Sequence, residues 1–208
     1  MTRFGAMTGV LAAMALLAAA APPDPPPAEH TILSPGRLVW EKGHQDVLRA
    51  LAWLRREGSD VRALIVGAGP EEARLRAHAH DLRVADAVEW RTAVRYDEMP
   101  GLFARASCFV LASLPTPFWE EQFGMVLAEA AASGLPLVAA SSGAIPEVLD
   151  GHGRLFPPGD WHALAAALAD VTGSKPARVD HDALVRRYSV AAAAERYAAA
   201  YERVLSSK

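Results

Sequence analysis
The sequence predicts an α/β fold, a doubly wound, Rossmann-like parallel sheet of about six strands with helices on both faces. Three observations carry the prediction. From Thr31 onward, short apolar runs alternate with segments whose apolar residues recur at helical spacing. The intervening helices have the length that parallel strands need for their crossovers, and the loops that bear Gly and charged residues fall at the strand ends, where such sheets bind ligands. The chain's 208 residues suffice for one domain with a proper core, plus at most a short appendage.

The appendage comes first. Met1 to Ala21 contains one early basic residue, Arg3, and an apolar run from Met7 to Ala21 that ends in small residues. It reads equally as a signal peptide or as an Ala-rich remnant of an upstream helix. Its composition and length suit a membrane span, which needs roughly 20 residues, less well. Pro22 to Pro27 follows as a stiff linker, so residues 1–30 precede a domain over residues 31–208.

Thr31 to Leu33 and Ala63 to Val66 read as buried strands. Between them Val47, Leu48, Leu51 and Leu54 keep helical spacing up to Gly58, which makes one βαβ unit. Further strands are predicted at Val88 to Trp90, Cys108 to Ala112, Leu137 to Ala140 and Arg154 to Phe156. The helices are predicted at Pro70 to His80, Asp97 to Arg105, Gly124 to Ser133 and Trp161 to Val171, with a last one over Ala191 to Leu205.

The run Phe118 to Ala140 holds the densest chemistry. Glu121 falls on a loop and Glu129 inside the following helix. Phe123, Gly124, Met125 and Val126 are expected in its first turn, where backbone N–H groups lack intrahelical acceptors and the dipole is positive. That end suits a phosphate. The carboxylates would repel a phosphate, so they are placed to accept hydrogen bonds from hydroxyls. A polyol carrying phosphate is the ligand these residues suggest.

The pattern E-x-F-G-x-x-x-x-E-A followed by S-G-L-P-L-V-A, from Glu121 to Ala139, resembles the signature of glycosyltransferase family four, the retaining group 1 transferases of GT-B architecture. Four further motifs follow the same family order: G-R-x-x-x-x-K-G (Gly36, Arg37, Lys42, Gly43), G-x-G-P (Gly67, Gly69, Pro70), the strand approach from Pro100 to Leu111, and G-x-I-P-E (Gly143 to Glu147). The resemblance spans Leu33 to Asp170 and covers the nucleotide-binding, C-terminal half of that architecture. Residues 1–30 are not expected to supply an acceptor-binding half.

What the resemblance implies is specific. Arg37 and Lys42 would bind the diphosphate of a nucleoside diphosphate sugar; a guanidinium fork and an ammonium can neutralise a pyrophosphate without a metal. Glu129 would accept hydrogen bonds from the ribose, and Glu121 would meet a hexose hydroxyl. Gly36 and Gly69 would line the donor site beside Phe123, Gly124, Met125 and Val126, and the loop Arg91 to Arg95 would offer backbone contacts to the base. For Gly67 and Gly69 a tight strand-to-helix turn competes with donor contact. Trp119 would either wall the sugar pocket or pack the loop, and His44 reads better as helix-start packing than as a phosphate ligand.

Other classes fit less well. The net charge of -3 and pI of about 6.2 give no general attraction to nucleic acid. Cys108, the single cysteine, falls in an apolar run where a buried thiol is expected. His78 and His80 are two apart on a helix and face different ways. A glycosidase pair must flank one bond, which a loop residue and a helix residue beside a phosphate site do poorly.

The sequence therefore predicts the donor-binding half of a retaining hexosyltransferase, with no cofactor beyond its nucleotide sugar substrate. The alternative is a catalytically silent nucleotide-sugar-binding module completed by a separate acceptor-binding domain or chain. Self-association through an exposed apolar face is a further expectation. A cytoplasmic location is expected, with membrane association and export left open by the first 21 residues.

Overall fold
Alternating strand side chains divide the molecule into two apolar layers. In the computed structural model, which describes residues 30–92, 94–175 and 177–206, the strands are β1 (Thr31–Pro35), β2 (Arg62–Val66), β3 (Val88–Arg91), β4 (Cys108–Leu111), β5 (Leu137–Ala140) and β6 (Arg154–Phe156). They form one sheet in the order β3-β2-β1-β4-β5-β6, with every pairing parallel. The apolar run and Pro-rich linker before His30 lie outside the described residues.

Each central strand feeds both layers because successive side chains point to opposite faces. Ile32, Ala63, Ile65, Cys108, Val110, Val138 and Ala140 enter one layer. Helices α1 (His44–Arg56), α2 (Glu72–Asp81) and α6 (Trp161–Thr172) cover it. Leu33, Leu64, Val66, Phe109, Leu111, Leu137 and Ala139 enter the other. That layer is covered by α3 (Met99–Arg105), α4 (Met125–Ala132), α5 (Ile145–Leu149) and α7 (Asp182–Arg187). Strands covered on both sides read as continuous apolar runs, and these do.

Helix α1 buries Val47, Leu48, Leu51 and Leu54, the positions whose spacing predicts it. Helix α6 starts at an N-cap, Asp160, whose side chain accepts from the Ala163 N–H at 2.9 Å. Helix α4 is short and Ala-rich, so its backbone lies close to the sheet, and Leu127, Ala128, Glu129, Ala130 and Ala131 are all buried. Cys108 is buried in β4, and burial pushes its thiol up to about 12.

Several boundaries differ from the sequence reading. Pro70 stands outside α2, which begins at Glu72. The helix predicted from Asp97 is a short 3-10 turn, Tyr96–Glu98, leading into α3. Helices α5 and α7 were not predicted, since each is too short, at 5 and 6 residues, to show a periodicity. The last helix, α8 (Val190–Ser206), has no buried residue, and Val190, Tyr201 and Leu205 are exposed on it. No described helix is long and apolar enough to cross a membrane.

Candidate functional site
The chain leaves β1 towards β2 and β3 on one side, then returns to place β4 on the other. The carboxyl ends of β1 and β4 thus flank the topological switch point, where open α/β sheets bind their ligands. Two backbone contacts weld the loops there. The Leu114 N–H donates to the Glu41 carbonyl at 2.8 Å. Gly43 packs so tightly on Ala112 that a Cβ on it would lie 1.8 Å from the Ala112 carbonyl oxygen. Gly43 is also left-handed, with φ +68°, because it ends the 3-10 turn Trp40–Lys42 and starts α1.

That weld brings Lys42 to Glu121. The ammonium donates to Glu121 Oε2 at 2.6 Å, and the side chains are only 16% and 12% exposed. Ser113 Oγ, two residues beyond β4, donates to the same oxygen at 3.0 Å. Lys42 Nζ also lies 4.8 Å from the centre of the half-buried Trp119 ring. The backbone of Glu121 is held as well, since its carbonyl accepts from the Ala144 N–H at 2.9 Å, just before α5. The two motifs containing Glu121 and Gly143 to Glu147 therefore meet physically.

Arg37 is exposed, and the loop beneath it is fixed from behind. The Gly36 N–H donates to the Val66 carbonyl and the Leu38 N–H to the Ala68 carbonyl, both at 2.9 Å. Gly69 serves this packing: a Cβ there would stand 2.3 Å from the Leu38 carbonyl oxygen, so the G-x-G-P turn is glycine because the β1 loop lies against it. His44, 1% exposed, holds the same loop. Its Nε2 donates to the Arg37 carbonyl at 3.3 Å, which leaves Nδ1 to accept from Ser34 Oγ at 3.0 Å. Burial, helped by the nearby Lys42 charge, lowers its pKa to about 4, so it is a neutral packing residue.

Gly124 is the N-cap of α4, left-handed at φ +71°, and no side chain caps the helix. Met125 and Val126 form the first turn, exposed and half-buried respectively. Phe123 lies outside the helix, and its ring meets Tyr188 edge-on at 5.1 Å. The helix therefore starts one residue later than predicted, which leaves Phe123 and Gly124 outside its first turn, and Phe123 anchors the loop by packing.

Glu129 is inside α4, 3% exposed. Tyr96, at the start of the turn after β3, donates its hydroxyl to Glu129 Oε1 at 3.2 Å. Burial holds the Glu129 carboxyl above the ordinary carboxylate range, with the phenol opposing that shift. Burial and the Glu129 charge raise the Tyr96 phenol in turn. The sequence singled out neither Tyr96 nor Ser113. Their only sequence signal is position, since both sit on loops beyond the carboxyl ends of strands.

Among the described residues no group of three or more His, Cys, Asp or Glu side chains could hold a metal ion. A cavity of about 400 Å³ lined by Ser107, Pro136, Gly153 and His181 lies at the opposite, amino edge of β4 to β6, away from the motif loops.

A family model, glycosyl transferases group 1, matches residues 20–183. A GDP-mannose-dependent α-(1-6)-phosphatidylinositol monomannoside mannosyltransferase of Mycolicibacterium smegmatis is 38% identical over 143 residues, 65% of this chain and 36% of that protein. A glycogen synthase of Mycobacterium tuberculosis is 37% identical over 147 residues, 70% of this chain and 34% of its own. The chain thus spans about a third of the length of these curated relatives. Among solved structures, the Anabaena protein HepE in complex with UDP superposes with a TM-score of 0.71 at 24% identity, covering 87% of this chain and 50% of that one. The separately solved C-terminal domain of a group 1 glycosyltransferase from Francisella tularensis gives 0.68 at 20% identity, covering 82% and 96%. With the family model matching well over half of its residues, the chain belongs to the group 1 glycosyltransferases.

Proposed function
We propose that this chain is the donor-binding half of a retaining GT-B hexosyltransferase of family four, taking a nucleoside diphosphate sugar. The observation that carries the reading is the meeting of Lys42 and Glu121 at the switch point, 2.6 Å apart and next to the uncapped start of α4. A cation and a helix N-terminus suit the diphosphate, and a carboxylate held by Ser113 suits a hexose hydroxyl.

In this reading the exposed Arg37 and the first-turn N–H groups of Met125 and Val126 join Lys42 on the diphosphate, while Glu129 takes the ribose. As the anomeric bond opens, charge grows on the leaving phosphate. Arg37, Lys42 and the helix start stabilise it there, and Glu121 steadies the sugar. The leaving phosphate accepts the acceptor's proton on the face it departs from, so configuration is retained. No metal takes part in this scheme.

A second reading is a binding module that transfers sugar only with an acceptor-binding domain or chain. The likeness to a C-terminal domain solved separately supports it, since such a half can stand as a unit. Self-association and a cytoplasmic or membrane-associated site of action belong to the same proposal. GDP-mannose, named for one relative, and UDP, bound to one neighbour, head the donors to test.

The test is a thermal-shift titration with UDP, GDP, ADP and their glucose and mannose conjugates, on the wild type and on Glu129→Ala. A ligand at about a hundred times its dissociation constant adds roughly 2.7 kcal/mol, a shift of several degrees. Stabilisation by one nucleotide, much reduced in the variant, is expected. Stabilisation by none defeats the reading. Slow donor hydrolysis by the bound complex then separates the transferase from the silent module.

A further inference from the structure
Tyr96 and Glu129 are brought together from distant parts of the sheet, one from the turn after the edge strand β3 and one from α4, which follows β4. Their exposures are unequal: Tyr96 is 43% exposed and Glu129 only 3%. Among the described residues the phenol is the side-chain donor to this carboxylate. A buried carboxylate without a donor is costly, and the tyrosine offsets part of that cost. A ligand hydroxyl arriving at Glu129 from solvent meets the phenol first.

We propose that Tyr96 is a placeholder for the ribose of the donor: its hydroxyl occupies on Glu129 the acceptor that a ribose hydroxyl takes in the complex, and its ring swings aside as the nucleoside enters. The proposal rests on the reading of Glu129 as the ribose ligand. The consequence is counter-intuitive. In the wild type the entering ribose must displace one O–H···carboxylate bond to form its own, so it gains less than it would at an uncommitted carboxylate. Without the phenol hydroxyl, Glu129 is a buried carboxylate short of a donor until a ribose supplies one.

The experiment is isothermal titration of UDP and GDP, with their 2′,3′-dideoxy analogues, into wild type, Tyr96→Phe and Glu129→Ala. Tyr96→Phe keeps the ring and should bind the ribonucleotide roughly two- to tenfold more tightly, the span of one net hydrogen bond. The dideoxy analogue, with no hydroxyl to donate, should gain nothing, so the ribose preference widens. If the wild type prefers ribose, Glu129→Ala abolishes that preference and Tyr96→Phe leaves it unchanged or narrower, the placeholder is wrong and the ribose reading stands. If neither the wild type nor Tyr96→Phe prefers the ribonucleotide to its dideoxy analogue, or if neither nucleotide binds, both fall together.

Discussion

Lys42 and Glu121 pair across the switch point of the sheet, one from the loop after β1 and one from the loop after β4, 79 positions apart in sequence. Each charge has the other as its partner. If the site takes a nucleoside diphosphate sugar as proposed, the diphosphate shares Lys42 with Glu121 and the sugar shares Glu121 with Lys42. Arg37 is exposed on the same loop as Lys42, and among the described residues no ion pair engages it.

That difference predicts unequal mutants. Arg37→Ala should weaken nucleoside diphosphate binding by about 1.5 to 3 kcal/mol, the worth of a charge-assisted bond. Lys42→Ala should cost more, because it also leaves Glu121 uncompensated beside the diphosphate. Adding Glu121→Ala to Lys42→Ala should recover part of that loss, with a coupling of about 0.5 to 3 kcal/mol in a double-mutant cycle by calorimetry. Additive effects would show that the pair does not face the diphosphate.

Gly43→Ala should unfold the junction between the two loops. The added methyl group meets the Ala112 carbonyl at 1.8 Å, backbone that cannot swing away, and the residue is left-handed. Strain of this kind costs on the order of 1 to 3 kcal/mol before the clash is counted. Urea unfolding should show at least that loss together with weaker nucleotide binding; a variant of unchanged stability would mean that the loops separate freely.

The sheet's centre was legible because β2, β4 and β5 are buried strands that read as short apolar runs, whereas the edge strands β3 and β6 carry Glu89, Arg91 and Arg154 and were legible from the alternation of elements. The resemblance singled out Lys42, Glu121 and Glu129; the structure pairs the first two, a contact the sequence reading did not include, and Glu129 lies inside α4. Arg37 is on the same loop and exposed, and among the described residues no hydrogen bond or ion pair joins its side chain to them. What the sequence did not disclose is pairing between distant loops. Nothing near Ser113 or Tyr96 signals that each donates to a glutamate 8 or 33 positions on, because those contacts are set by strand order and not by local pattern. Gly69 shows the reverse case, a motif glycine whose visible role is the close passage of Leu38.

Acid should weaken the fold through His44. Its pKa is about 4 in the folded chain against 6.5 when unfolded, so between those values the unfolded chain takes up a proton that the folded chain refuses. Stability contributed by the neutral ring is complete above about 6.5 and is lost as pH falls towards 4, by roughly 3 kcal/mol for one group. His44→Gln, whose amide does not titrate in this range, should flatten that part of the pH–stability curve in denaturant unfolding. An unchanged slope would place the acid sensitivity elsewhere.

Glu129 should act with the opposite sign. Burial raises its pKa above the ordinary 4.5, so just above that value the folded chain retains a proton that the unfolded chain has shed. As pH rises further, the folded chain must ionise a carboxyl that is 3% exposed, and stability declines until ionisation is complete. Glu129→Gln keeps an acceptor for the Tyr96 hydroxyl and removes the titration. Its stability relative to wild type should therefore improve steadily with pH above about 4.5 and then level off. Taking the difference from wild type at each pH cancels the His44 contribution, which both proteins share. A difference that stays constant from acid to neutral pH would show that Glu129 ionises as readily folded as unfolded, and that Tyr96 and water already meet the full cost of its charge.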